Sequence, residues 1–256
     1  IRSISGKESS GIKIEQLQAR VNATPQAIRI ENFKLKMPAS ELRADELKLK
    51  SNGKRAFEIY GDVYSNTISA SDFSSLLPIA TTELPTLSLR IKTKGNNKKL
   101  AAAATIETAD KSISIKTNTA ITNFLNSEKR TIDFNLANGK IETAAISHIQ
   151  RIIGDSTGKF DIIKRLGDIE ISAHTHYAQE EIKSDINLQT AGGHIAGRAI
   201  IDKDRNYSTT LQATAIDLGA ILQETELGKC NAEFNASGIY DKKAPIGSFY
   251  STISNS

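Results

Sequence analysis

Alternation of apolar and polar residues, repeated from one short segment to the next, constrains this chain more than any other feature. Leu87, Leu89 and Ile91 are interleaved with Ser88, Arg90 and Lys92. Successive side chains on a strand point to opposite faces, so this spacing predicts a strand with one dry and one wet side. Ile113 and Ile115 repeat it among Ser112, Ser114 and Lys116, as do Ile132, Phe134 and Leu136 among Thr131, Asp133 and Asn135, and Ile186 and Leu188 among Asp185, Asn187 and Gln189. Phe57, Ile59, Gly61 and Val63 form a milder version near the start. Tyr207, Thr209, Leu211, Ala213 and Ala215 form another near the end. Such alternation belongs to antiparallel sheets.

Turn-forming residues punctuate these segments at Ser51-Asn52-Gly53, Lys94-Gly95-Asn96-Asn97, Asn138-Gly139, Gly192-Gly193 and Asp202-Lys203-Asp204. The spacing predicts hairpins and hence a meander, with no helix-length stretch between strands to support parallel βαβ units. Three short segments change to helical spacing. Ser71 and Asp72 are placed to cap a turn carrying Phe73, Leu76 and Leu77 before Pro78, and Asp217 to cap one carrying Leu218, Ile221 and Leu222. Thr143 to Ile153 puts Ile146, Ile149 and Ile153 on one side of a helix, although Ile152 blurs the stripe and a strand remains an alternative.

After each helical segment comes a similar strand: ELPTLSLRIKTKG from Glu83, RLGDIEISAHTHY from Arg165 and ELGKCNAEFNASG from Glu226. This internal repeat is irregular, 82 residues from Leu84 to Leu166 and 61 from Leu166 to Leu227. It divides one continuous elongated β domain into three repeats of a one-faced sheet, over residues 1–80, 81–160 and 161–256.

Composition narrows the function. Aromatic residues are 5% of the chain and Trp is absent, so the dry faces are lined by aliphatic and small residues, too thin for an aromatic-anchored core. No stretch approaches the roughly 18 apolar residues of a membrane helix. The charge of +4 comes from Lys and Arg interspersed with Asp and Glu, without the basic block or aromatic platforms that would mark a nucleic-acid surface. The lone Cys230 forms no internal disulfide and no thiolate metal cluster. The chain opens at Ile1 without an initiating Met, and we read it as a segment of a longer protein.

Candidate chemical sites are few. His174 and His176 share strand parity with Glu170, but they also share a polar face with Asp168 and Ser172, and a solvated pair is the simpler reading than a metal site. His148 and His194 have no nucleophile or carboxylate at motif spacing. Gly192-Gly193 does not lead from a strand into a helix, so it reads as a hairpin, not a phosphate loop. The sequons at Asn22, Asn206 and Asn235 carry no weight in a chain so rich in Asn and Thr. No catalytic residue, metal or cofactor is expected.

The helical turn IDLGAILQETELGKCNAEFNASG, the earlier SASDFSSLLP and the strand pair IKSDINLQTAGGHIAGRAII resemble the TamB branch of the AsmA-like superfamily, in the divergent form found in Bacteroidetes. The resemblance runs from about Ile28 to Gly238. It implies an all-β fold: an elongated antiparallel sheet curled into an open, taco-like groove with a few short helical turns. It further implies a segment of a periplasmic conduit carrying phospholipid acyl chains between inner and outer membranes, with an inner-membrane anchor outside this segment and a barrel-type outer-membrane partner. A scaffold for outer-membrane protein assembly by β-augmentation is the alternative.

Alternation alone fits a two-sheet sandwich better than a trough; the repeat and the resemblance favour the trough. The groove is then expected to be lined by Leu87, Leu89, Ile91, Ile115, Phe134, Ile171, Ile186, Leu188, Leu211 and Phe234. Phe73, Leu76, Leu77, Leu218, Ile221 and Leu222 are expected to lie against its dry side and close it.

Overall fold

A computed structural model describes residues 4–7, 12–51, 53, 56–75, 85–153, 159–224, 226–240 and 245–255. The alternating segments form fifteen strands: β1 (Ile4–Lys7), β2 (Lys13–Thr24), β3 (Ala27–Lys36), β4 (Glu41–Ser51), β5 (Phe57–Ile68), β6 (Leu87–Asn96), β7 (Lys99–Thr108), β8 (Ile113–Thr122), β9 (Thr131–Ile141), β10 (Ile169–Ala178), β11 (Glu181–Thr190), β12 (Gly193–Ile201), β13 (Asn206–Asp217), β14 (Lys229–Tyr240) and β15 (Pro245–Asn255). All fifteen make one antiparallel sheet in sequence order, the meander that the hairpin spacing predicts. The sheet is curled and does not close into a barrel.

A sandwich would hide the dry face beneath a second layer. Instead, Ile91 and Ile186, both well inside the sheet, keep 37% and 38% of their surface exposed. The chain exposes 16299 Å², roughly half again the 11,000 Å² or so expected for a compact protein of its mass. The sheet is a single layer.

Its curl comes from β-bulges, each of which adds a residue to one strand and increases the local twist. Register shifts occur in β4 between Ala44 and Leu47, in β5 between Ser65 and Ile68, and in β13 between Ala213 and Ile216. Asn32 and Ala215 take the left-handed conformation, with φ of 52° each. Ala215 is therefore not the next dry residue of its strand. It is the bulge, its N–H donating to Asn231 Oδ1 at 2.8 Å, and Ile216 takes the dry position opposite Cys230.

Asn138-Gly139 is likewise no turn, because both residues lie within β9 beside a bulge. A Cβ on Gly139 would come within 2.6 Å of Ile171 Cγ2, so the glycine allows close cross-strand packing. Lys94-Gly95-Asn96 also belongs to a strand, and the turn is Asn97-Lys98.

Helices occupy only the connections. Thr143–Ile153 is a helix, α1, over the range predicted; α2 (Lys159–Arg165), which the sequence pattern did not separate, follows it, and α3 (Leu218–Leu222) is capped by Asp217 as expected. The turn near Phe73 is a 3-10 turn over Ala70–Phe73 capped by Ser69. Asp72 instead accepts the Ala39 N–H at 3.0 Å, tying this connection to the β3–β4 turn. No helix among the described residues is long and apolar enough to cross a membrane.

Candidate functional site: an open trough with unequal rims

Strand pairing places the ten expected lining residues on one face. Ile91 stands opposite Ala104 and Val63; Leu89 opposite Ile106, which faces Ile115; Thr119 opposite Phe134; and Ile171 opposite Leu188. Ile186 faces Gly197, which faces Leu211, which faces Phe234. Gly197 leaves room there, since a Cβ would meet Leu211 Cδ2 at 2.3 Å.

One row along this face consists mostly of small side chains: Gly61, Thr93, Ala102 and Thr119, then, beyond Phe134, Thr175, Ser184, Ala199, Thr209 and Ala236. It forms a shallow furrow across the strands, with Phe134 standing in it as a partition. The Thr175 and Ser184 hydroxyls pair at 2.9 Å, so this floor carries little unmet polarity. The furrow is visible only once the register is known, because it runs across the chain and not along it.

The two rims differ. In a meander, alternate connections fall on opposite sides, and every buried described residue lies toward one of them. The apolar members are Met37, Ala44, Ala145, Ile146, Ile221 and Cys230, and the polar members Ser40, Ser65, Thr108, Ser112 and Thr190. Hydrogen bonds join neighbouring connections along this capped rim. Ser69 N–H donates to Ser40 Oγ at 2.9 Å, Glu142 N–H to Ser112 O at 2.7 Å, Gly192 N–H to Leu166 O at 3.2 Å, and Arg165 Nη1 to Ile221 O at 2.9 Å. Asp168 belongs to this seam and not to the polar face of β10. Its carboxylate accepts the Thr143 N–H and hydroxyl at 3.0 and 3.1 Å, bonds that hold its pKa below the usual range. Asp110 accepts the Ser112 N–H and hydroxyl in the β7–β8 turn. Hydrogen bonding from Thr108 and Ser112 brings its pKa down to about 2.

Along the opposite rim apolar residues face water: Val21, Ile28, Leu49, Phe124, Leu125, Ile182 and Ile239 are all exposed. A largely apolar hollow of about 310 Å³ opens toward it, walled mainly by Ile28, Ile30, Leu47, Leu49, Ile59, Val63 and Ile91. Phe124, from the β8–β9 connection, reaches Phe57 of β5 edge-on at 6.2 Å between ring centroids, bridging over the intervening strands.

The expected closing residues are placed unevenly. Ile221 is buried at the capped rim, Leu218 and Phe73 are half-buried, and Leu222 is exposed. Leu222 is the last residue of α3, which the left-handed Gln223 ends after little more than a turn. Leu76 and Leu77 lie outside the described residues.

The other face is wet and laced with cross-strand pairs. Arg90 forks onto Asp62 at 3.0 and 2.7 Å and holds that carboxyl below its usual pKa; Arg198 meets Asp185 at 2.6 Å and Arg29 meets Glu46 at 2.7 Å. His176 Nδ1 lies 2.6 Å from Asp133 Oδ1, and His194 Nε2 lies 2.8 Å from Asn187 Oδ1. His174 stands between Asn135 and Asp185. Among the described residues no group of three His, Cys, Asp or Glu side chains could hold a metal. The His148 side chain lies outside the described ones. Comparison with known protein families, characterised proteins and solved structures returns no match.

Proposed function

We propose that this chain is a segment of a non-enzymatic hydrophobic conduit that carries phospholipid acyl chains between the inner and outer membranes, within a periplasmic protein anchored outside this segment. The observation that carries the reading is the exposed dry face: aliphatic residues line one side of a single-layer sheet, closed at one rim and open at the other. Water leaves such a surface readily. An acyl chain laid on it gains roughly 0.8 kcal/mol per buried CH₂, without a specific headgroup site. The likeness to the TamB branch supports the same reading.

Purified protein is expected to carry phospholipid. Ile186→Asp and Leu188→Lys put a charge on the dry face and are expected to remove the lipid, while circular dichroism stays that of a folded sheet. Lipid-free wild-type protein that also takes up none from vesicles would refute the conduit.

The second reading, a scaffold for outer-membrane protein assembly, would bind through strand edges instead of the dry face. Crosslinks from strand backbone positions to barrel-type client strands, with none from the dry face to lipid, would select this reading.

A further inference from the structure

The wet face pairs most of its arginines and several lysines with carboxylates on neighbouring strands, but at one place on the open rim it does not. Lys48 and Lys50 at the end of β4, Lys94 at the end of β6, and Lys98 and Lys99 leading into β7 are all exposed. None forms an ion pair with another described residue. The strand between them holds two carboxylates: Glu58, in register with Lys50, and Asp62, already engaged by Arg90 and Lys92. Past β9 the same rim changes character: Glu180, Glu181, Asp202 and Asp204 offset Lys183, Lys203 and Arg205.

The unpaired lysines stand where the apolar hollow opens. Lys48 is part of the hollow's wall. Just round the lip, on the wet face, lies a second depression of about 600 Å³, floored by Ala101, Ala103 and Ala120 and bordered by Lys92, Lys94 and Lys99, with Asp133, engaged by His176 at 2.6 Å, as its one carboxylate. Tyr60 and Thr93 border both. A chain-binding hollow and a basic seat thus meet at one edge, only a sheet's thickness apart. Lysine stems lie along apolar surface while their ammonium groups stay in water, which suits them to hold a charged group at a lip.

We propose that the lip over β4–β7 seats the anionic headgroup of a phospholipid whose acyl chain lies in the adjoining hollow, so that this stretch of the conduit favours anionic over zwitterionic lipid. The inference rests on the conduit reading and adds a headgroup class and a location to it. Uncompensated lysines near a lip attract a phosphodiester bearing net negative charge, whereas phosphatidylcholine presents its own cation beside the phosphate. The preference therefore weakens with salt.

The test uses the full chain, stripped of lipid, and compares phosphatidylglycerol with phosphatidylcholine of the same acyl chains at low and high salt. The expected result is about tenfold tighter binding of phosphatidylglycerol at low salt, falling toward parity at high salt. The triple variant Lys50→Gln, Lys94→Gln, Lys99→Gln should lose the preference and keep its affinity for phosphatidylcholine, which also reports that it is folded. Glycerol phosphate, a soluble headgroup without chains, should not displace bound lipid; displacement at comparable concentration would make this a phosphate site and overturn the proposal. Equal binding of both lipids by the wild type, or a preference that survives in the triple variant, would overturn it while leaving the conduit standing. Failure to bind either lipid would sink both.

Discussion

The capped rim and the open rim are built from the same kinds of strand, yet every buried side chain among the described residues lies toward the first, while the second buries none and leaves Val21, Ile28, Leu49 and Ile182 facing water. The difference lies in what each connection carries. On the capped side the connections bring α1, α2 and α3, which pack in series against one another and, through α3, on β14, burying Ala145, Ile146 and Ile221, together with Ser, Thr and Asp side chains that satisfy the backbone as it turns. On the open side most are short turns such as Asn97-Lys98 and Gln179-Glu180, which bring nothing to bury. A one-layer sheet has no opposing layer to stabilise it, so its rigidity is expected to come from the seam along one rim, with the other left free to meet a guest.

The sharpest way to break this comparison is to remove equivalent volume from each rim. Ile146 in α1 is only 3% exposed, and Ile146→Ala should cost about 2–4 kcal/mol in urea unfolding, as core truncations do. Ile28 on the open rim is 45% exposed, and Ile28→Ala should cost under about 0.5 kcal/mol. Its loss should appear instead as weaker lipid binding. Similar destabilisation by both would show that the open rim also carries the fold, and would refute the division of labour.

A smaller effect is expected inside the trough. Phe134 interrupts the row of small side chains, and the stretch before it, from Gly61 to Thr119, spans three strand gaps, roughly 14 Å at the usual spacing. If Phe134 is a partition, affinity for single-chain lipids should stop rising with chain length in the wild type and continue to rise in Phe134→Ala. Stability should fall by only about 1 kcal/mol, because the ring is half-buried. An unchanged length dependence would mean that guests do not follow the furrow.

Much of the fold was legible in the sequence because alternation is a local signal. Leu87, Ile186 and Leu211 share a face for the reason their spacing predicts, and Asp217 caps α3 as its position before Leu218 suggests. The signal failed where the phase shifts. In β3 the dry positions run Ile28, Ile30 and then Phe33, Leu35, because left-handed Asn32 inserts a residue, and β4 slips in the same way between Ala44 and Leu47. Ser69, not Ser71, caps the 3-10 turn, its hydroxyl accepting the Ser71 N–H, while Asp72 accepts the neighbouring Ala39 N–H. The asymmetry of the rims and the furrow beside Phe134 were not legible at all. Both are properties of strand order, joining residues far apart in the chain that no short window contains.

The mildest test concerns how the seam depends on pH. Asp110 has a folded pKa of about 2 against an ordinary 3.8, set by hydrogen bonds from Thr108 and Ser112 in the β7–β8 turn. A pKa lowered on folding contributes stability above the unfolded value and loses it as pH falls through the folded one. Asp110→Asn should therefore unfold at slightly lower urea than the wild type from pH 7 down to about 5, with the gap shrinking between about 4 and about 2. Asp110 is exposed, so solvent and salt screen its charge, and the difference should be the least of those predicted here. A gap that persists unchanged at pH 2 would show that the variant disturbs the turn's shape and not its ionised carboxylate. The capped rim would then owe its order to packing by Ile146, Ile221 and their neighbours, with the Asx turn a minor fitting.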